Sequence, residues 1–506
     1  MHNSGQREGY AVLIIGYILL AATILGFAIF LLSAPKIAAY PFGLDFGEGY
    51  LLEHARRLGN AENIYGDISH YPYTVCNYPI LYPLLIGLIM KATGVTLAAG
   101  RWVSIIATLA SCWLVVFILL RLTRNQLISV ICGLMFVCVP AAFRWGQVFR
   151  VDALAVALSL TGLAIFIAAG NDKRRLWSIP FFIAAFLTKQ SMLAAFAAVL
   201  LHTLYINRRS GLLYAALALI GGAVVYMLID YATAGGMFRH NFLFTANAFF
   251  PERLAAGLKT YLLYTGPLIL IALFHLGYGK PILRDNPLPL YFLFANATML
   301  TYGYEGSDSN YFIEPLAADL LIAGVALSAW VPRIGKSENN LKLNWAGVLL
   351  VVILLAQFLM VRGFYNNEFQ VAYIGERDIE NGKLLVNLIK NTPGDVVSED
   401  ASFQVSAGKP VLFEPYIMTL LAEQGKWDQT DFVNDLRNAH FGLVILRFNV
   451  FDPNNPDRYE NLPYRIAGFN RFSDEMEQAI AEGYELDKNL IFHSHGTWFA
   501  YNPRGN

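Results

Sequence analysis

The chain reads as a mainly α, polytopic membrane protein of about eleven transmembrane helices with a small extracytoplasmic α/β domain at its C-terminal end. Three observations predict this. Of its 506 residues, 56% are hydrophobic and 15% charged, far too apolar for one soluble domain of that length. The apolar residues fall into successive runs long enough to span a bilayer. After Arg362 the pattern changes to short alternating strands and helices. A formal net charge of zero gives no reason to expect a nucleic-acid partner. The four cysteines form neither a disulfide framework nor a zinc-ligand spacing: Cys112, Cys132 and Cys138 lie in apolar runs, and Cys76 lies alone in a loop.

The first apolar run, Tyr10 to Leu32, is too long for a signal-peptide core and is expected to stay as the first helix. Further spans are expected at 98–120, 127–143, 152–169, 176–193, 192–206, 212–233, 260–278, 288–304, 315–331 and 344–362. Short connections carry Arg121/Arg124, Lys173/Arg174/Arg175, Arg208/Arg209, Lys280/Arg284 and Arg333/Lys336/Lys342. With the N-terminus cytoplasmic, all five fall on the cytoplasmic side, as the positive-inside rule asks. The segments 33–97, 144–151, a hinge near 190, 234–259, 305–314 and everything after 363 then face out. This divides the chain into a membrane domain, 1–362, and a soluble outer domain, 363–506.

The first outer loop is unusual. Phe42 to Pro83 holds Asp45 and Glu48, three apart, among Gly43, Gly47 and Gly49. Glu48 to Leu58 predicts an amphipathic helix too short to span, with Leu51, Leu52, Ala55 and Leu58 as its apolar stripe. It is expected to lie flat among headgroups, apolar face down. Ile80 to Met90 predicts a second in-plane or re-entrant helix. The second outer loop holds Arg144, Arg150 and Asp152 at the edge of hydrocarbon, where a charge at mid-membrane costs roughly 2.5–3.5 kcal/mol. The spacing of Arg150 and Asp152 puts them astride a loop-to-helix junction. Lys189 in FLTKQS lies ~21 Å up its helix from Arg175, in the outer membrane half, and needs an anionic or polar partner. His240 sits in a phenylalanine-rich outer lip, and the loop 304–315 gathers Glu305, Asp308, Asn310, Tyr311 and Glu314 as a candidate cover. Beyond 363, Val396–Ser398, Pro410–Glu414 and Leu443–Arg447 read as strands; Lys383–Lys390, Ile417–Gln424 and Thr430–Asn438 read as helices.

Asp45 with Glu48, the NYPILYPLL segment 77–85, Gly100-Arg101, Arg150-Val151-Asp152, Thr188-Lys189-Gln190 and the run Ser309 to Pro315 together resemble the GT-C superfamily of membrane glycosyltransferases. The likeness is to the bacterial branch related to protein mannosyltransferases and the lipid A aminoarabinose transferase. In place of adjacent acids after the first helix, as in some members, this chain spaces them three apart. The resemblance implies a GT-C fold in the plasma (inner) membrane and a polyprenyl-phosphate-linked sugar donor. The acceptor would be a lipid, glycan or protein. It implies an inverting displacement with Asp45 as base, and Glu48 and Asp152 as further catalytic acids. Arg150, Lys189 and Arg144 would bind the leaving phosphate, and His240, Asn310, Tyr311 and Glu314 would contact substrate. The acids are compatible with a divalent metal ion, but no ligand spacing demands one.

Each residue also has a bland reading. Asp45 can be a solvated loop acid, Glu48 a helix-start acid favoured by the dipole, and Arg150/Asp152 an interfacial ion pair. Lys189 can snorkel, and His240 can be a satisfied interfacial histidine. Two other classes compete with an enzyme: a transporter or flippase of a lipid-linked sugar, and a scaffold whose outer domain recruits partners. Against transport, no internal repeat is visible and the acids cluster on one side of the bilayer.

Overall fold

A computed structural model describes residues 2–245, 247–278, 286–330, 352–357, 359, 375–452, 471–493 and 497–505. The first part of the chain forms α1 (His2–Ala39), α2 (Phe46–Gly59), α3 (Leu81–Thr93), α4 (Leu97–Thr123) and α5 (Gln126–Met135). There follow α6 (Pro140–Trp145), α7 (Asp152–Ala169), α8 (Ser178–Thr188), α9 (Ala194–Ile206) and α10 (Arg208–Ala232). Longer helices cover Pro251–Tyr278 and Ile313–Trp330.

Six segments are long and apolar enough to cross a bilayer: Leu13–Ala39, Leu97–Thr123, Asp152–Ala169, Arg208–Ala232, Pro251–Gly277 and Ser309–Ala329. The chain is therefore a multi-pass membrane protein. The span Ser309–Ala329 is 83% buried and forms the centre of the bundle, whereas Arg208–Ala232 is 11% buried and turns its apolar side chains outward.

Several expected spans are interrupted. The run 127–143 breaks after Met135 into a 3-10 turn, and Pro140 starts the separate helix α6, since proline has no N–H to continue a ladder. The run 176–193 stays helical only to Thr188; Lys189 is extended, with φ −147° and ψ 118°. The run 288–304 is α-helical to Ala297 and then tightens to 3-10 geometry. The expected span 344–362 lies largely outside the described residues, as do Lys280/Arg284, Arg333/Lys336/Lys342 and the boundary at 363.

Helix α2 forms where expected, but its stripe does not meet lipid. Leu51, Leu52 and Ala55 are buried in a cluster with Tyr82, Ile86 and Met90 on one side and Ala401, Val405 and Val411 on the other. Helices α2 and α3 cross closely at small residues: a Cβ on Gly87 would lie 2.4 Å from the Ala55 carbonyl oxygen. Beyond residue 375, helices at Glu376–Asn391, Ala401–Ser406, Pro415–Glu423, Thr430–Arg437 and Asp474–Gly483 flank one sheet. Its strands are β1 (Val396–Ser398), β2 (Leu443–Leu446), β3 (Tyr484–His493) and β4 (Thr497–Pro503), in the order β1-β2-β4-β3. Strands β1 and β2 are parallel; β2–β4 and β3–β4 are antiparallel. The expected strand Pro410–Glu414 reduces to an isolated bridge between Phe413 and Tyr73, because its pairing partner is the irregular outer loop.

Candidate active site

The glycine-rich segment after α1 is built by contact. Gly43, Gly47 and Gly49 are not among the residues with positive φ, so none is required for an unusual turn. A Cβ on Gly47 would lie 1.7 Å from Arg150 Nη1, and one on Gly49 would lie 2.3 Å from the backbone nitrogen of Ser402. Glycine here lets Arg150 and the segment 400–402 approach the backbone of α2.

Asp45 caps α2, accepting the Gly47 N–H at 3.0 Å. Its Oδ2 also lies 3.1 Å from Arg150 Nη1, with each side chain 16% exposed. Glu48 completes the capping box, its Oε2 accepting the Asp45 N–H at 3.4 Å, and it also takes the Leu44 N–H at 2.7 Å. It then goes inward. Arg101 on α4 donates from Nε to Glu48 Oε1 at 2.8 Å and from Nη2 to Oε2 at 2.6 Å. The same guanidinium donates to the carbonyls of Ile37 (2.9 Å), Tyr40 (2.5 Å) and Phe42 (2.6 Å). Glu48 Oε1 also accepts the Phe149 N–H at 2.6 Å. Burial pushes the Glu48 carboxyl up, but Arg101 and these N–H groups outweigh it and hold the carboxyl below its ordinary value. Glu48 and Arg101 are wholly buried. They tie the end of α1, the start of α2 and the residue before Arg150 to one point on α4.

A second cluster sits at the start of α7. Asp152 Oδ1 accepts from Lys189 Nζ at 2.6 Å and from Asn310 Nδ2 at 3.0 Å. The Lys189 ammonium lies 4.3 Å from the Tyr311 ring centroid, a cation–π distance. The partner that Lys189 requires is thus Asp152. Arg150 pairs with Asp45 instead, and donates to the Tyr78 hydroxyl at 3.1 Å. The helix break after Thr188 turns Lys189 toward α7.

Asp45, Arg150, Lys189, Asn310 and Tyr311 all line one cavity of about 640 Å³. Glu48, Asp152, Arg144, His240 and Glu314 are not among its lining residues. Asp152 stands immediately behind Lys189. Arg144 lies against Trp145, 5.4 Å from its ring. Glu314 is buried, its Oε1 bonded to the Ser159 hydroxyl at 3.3 Å. His240 accepts the Cys76 N–H on Nδ1 at 3.1 Å, so Nε2 carries the hydrogen bonded to the Gly66 carbonyl at 2.8 Å. Burial pulls its pKa down to about 4; it is a neutral staple between the lip and the first outer loop. Loop residues 304–308 line the cavity and are tied down through Asn247 to the Glu305 carbonyl at 2.7 Å and through Arg253 to the Ser307 carbonyl.

Sequence reasoning missed other walls. His54, Tyr78, Arg253, Glu414, Tyr416 and Arg471 also line the cavity. His54 sits one helical turn beyond Tyr50 on the same face of α2, a signal present in the pattern. Glu414 and Arg471 come from the last part of the chain and carry no local signal. Among the described residues, no three His, Cys, Asp or Glu side chains come together as a metal-binding group.

A family model described as dolichyl-phosphate-mannose-protein mannosyltransferase matches residues 77–232. No curated protein matches the chain. The structure is similar to that of ArnT from Cupriavidus metallidurans bound to undecaprenyl phosphate, with TM-score 0.57 and 13% identity over 97% of this chain and 98% of that one. It is also similar to the oligosaccharyltransferase AglB from Archaeoglobus fulgidus in complex with an inhibitory peptide and a dolichol-phosphate. There the TM-score is 0.56 and the identity 14%, over 85% of this chain and 69% of that one. The likeness is one of fold and covers most of the chain: it has the GT-C fold, with a small sheet-containing C-terminal part.

Proposed function

We propose that this GT-C-fold membrane protein is an inverting glycosyltransferase. It takes a sugar from a polyprenyl phosphate and gives it to a hydroxyl-bearing lipid, glycan or protein at the outer membrane surface. One observation carries the reading: Asp45, Arg150 and Lys189, drawn from three separate segments, line a single cavity. The orientation follows from the basic connections, which put the N-terminus in the cytoplasm and this cavity, with the part after 363, outside.

The chemistry needs a base and cations. As the acceptor oxygen bonds to the anomeric carbon, its proton passes to the Asp45 carboxylate. The bond from that carbon to the phosphate oxygen breaks with its electron pair on the lipid phosphate, and the configuration inverts. Arg150 and Lys189 meet the growing negative charge. Arg150 lines the cavity with Nη1 on Asp45 and Nη2 on the Tyr78 hydroxyl, so its charge stands where a phosphate would enter. Asp152 fixes Lys189, and Asn310 fixes Asp152. Glu48 is a positioning residue that acts through Arg101.

The test uses membranes containing the full chain, supplied with undecaprenyl phosphate carrying a radiolabelled sugar. Wild type releases bare undecaprenyl phosphate and forms a labelled product. Asp45→Asn still binds the donor but transfers about 10²–10⁴-fold more slowly. Wild-type transfer by Asp45→Asn removes the base. Movement of intact lipid-linked sugar across the bilayer, with no glycosidic bond broken, replaces the enzyme with a flippase.

A further inference from the structure

We propose that Glu414 hydrogen-bonds a hydroxyl of the sugar on the lipid phosphate, so that the C-terminal part of the chain helps to choose the donor. This rests on the donor class proposed above.

Glu414 is held firmly. Tyr73 N–H donates to the Leu412 carbonyl at 2.8 Å, and Glu414 N–H donates back to the Tyr73 carbonyl at 2.9 Å. The residue occupies the N-cap position of the helix Pro415–Glu423, yet its side chain makes no cap bond. An acid there would ordinarily satisfy the first N–H groups of its own helix. This carboxyl instead takes the Val75 N–H on Oε2 at 3.1 Å and contributes to the wall of the cavity. That is its one hydrogen bond to the side chain among the described residues, which leaves Oε1 for a ligand. The residue is 6% exposed, and that exposure is to the cavity.

Its surroundings differ from those of Asp45. Asp45 touches a guanidinium, whereas Glu414 has no salt bridge among the described residues. Tyr50, Arg150, Arg471 and Glu305 share the cavity wall with it, and buried Cys76 lies on the loop beside it. Burial pushes the Glu414 carboxyl up to about 8; the Val75 N–H and the charge of Arg150 only partly oppose this. At neutral pH it is a protonated acid, able to donate to a hydroxyl oxygen and to accept in return. Arg150 is the candidate phosphate ligand, and its charge reaches Glu414. The group attached directly to that phosphate is the sugar ring, so a donor close to Arg150 meets the sugar.

The test measures binding by the full chain in lipid nanodiscs. The probes are undecaprenyl phosphate and its glucose, mannose and 4-aminoarabinose conjugates. Wild type is expected to bind at least one conjugate more tightly than the bare carrier. Glu414→Ala should weaken that conjugate roughly tenfold and leave the bare carrier unchanged. Glu414→Gln, which keeps a donor and an acceptor, should retain the preference. In wild type the preference should fall as pH rises through about 8; in Glu414→Gln it should not. Equal weakening of conjugate and bare carrier by Glu414→Ala, or no weakening of either, overturns the assignment. So does a wild type that binds no conjugate better than the bare carrier. A wild type that binds neither the conjugates nor the bare carrier overturns the donor class beneath it.

Discussion

Replacing Arg101 with methionine tests the framework that sets Asp45 opposite Arg150. The change leaves Glu48 wholly buried without its cation, and strips the carbonyls of Ile37, Tyr40 and Phe42 of their shared donor. Removing one partner of a buried ion pair costs about 3–5 kcal/mol, a large part of the roughly 5–15 kcal/mol that holds a typical folded domain together. Glu48→Gln alone should cost a similar amount, since it leaves the arginine unpaired. The double variant Glu48→Gln/Arg101→Met has no uncompensated charge, and the introduced amide oxygen can still accept one of the Phe149 and Leu44 N–H groups. It should therefore lie above the sum of the singles by about 1–3 kcal/mol. Thermal unfolding of the purified full chain, followed by tryptophan fluorescence, reads this directly. The pair also sets acid sensitivity. Because the folded Glu48 carboxyl is held below 4.5, its stabilisation is complete above that pH and is lost as pH falls through the lowered value. Without Arg101, burial alone acts on Glu48, so the Arg101→Met penalty should be largest at neutral pH and shrink as pH falls and the carboxyl takes up a proton. A single variant melting with wild type, or a double variant that is merely additive, would refute the idea that this pair organises the site.

Three further outcomes follow. Gly47→Ala places a methyl over Arg150 Nη1. The flexible guanidinium yields, so undecaprenyl phosphate binding in nanodiscs should weaken about tenfold while the melting temperature changes little. The topology can be read with a membrane-impermeant maleimide, because all four native cysteines are buried. Ser69→Cys should label from outside in intact cells, and Arg209→Cys only after permeabilisation; the reverse result inverts the orientation. Native Cys76 should stay unlabelled until the protein is denatured, since it is buried and its thiol is pushed up to about 12 by that burial.

Local chemistry is legible in the chain, and remote closure is not. The start of α7 at Asp152 and the strand Val396–Ser398 lie where pattern and charge put them. The break at Lys189 is readable because a lysine and a glutamine interrupt an apolar run. Glu48, three residues from Asp45, reads as a second catalytic acid. What holds it is Arg101, 53 residues away, and spacing carries no trace of such a pair. Gly43, Gly47 and Gly49 stand out around the two acids, but their use, close approach to Asp400, Arg150 and Ser402, has no trace in the spacing. The pattern of α2 predicts the helix correctly, but its apolar face meets residues 401–411 where a headgroup layer is expected. A helix stripe records that a face is buried, not what buries it.

The cavity wall has consequences for how the protein is made. Asp45, Arg150 and Lys189 leave the ribosome long before Glu414, Tyr416, Ile417 and Arg471, which line the same cavity. Until then the cavity lacks one side, and Gly49 on α2 lacks the segment 400–402 that packs against it. A chain halted before residue 400 can insert its early helices and still possess no closed vessel.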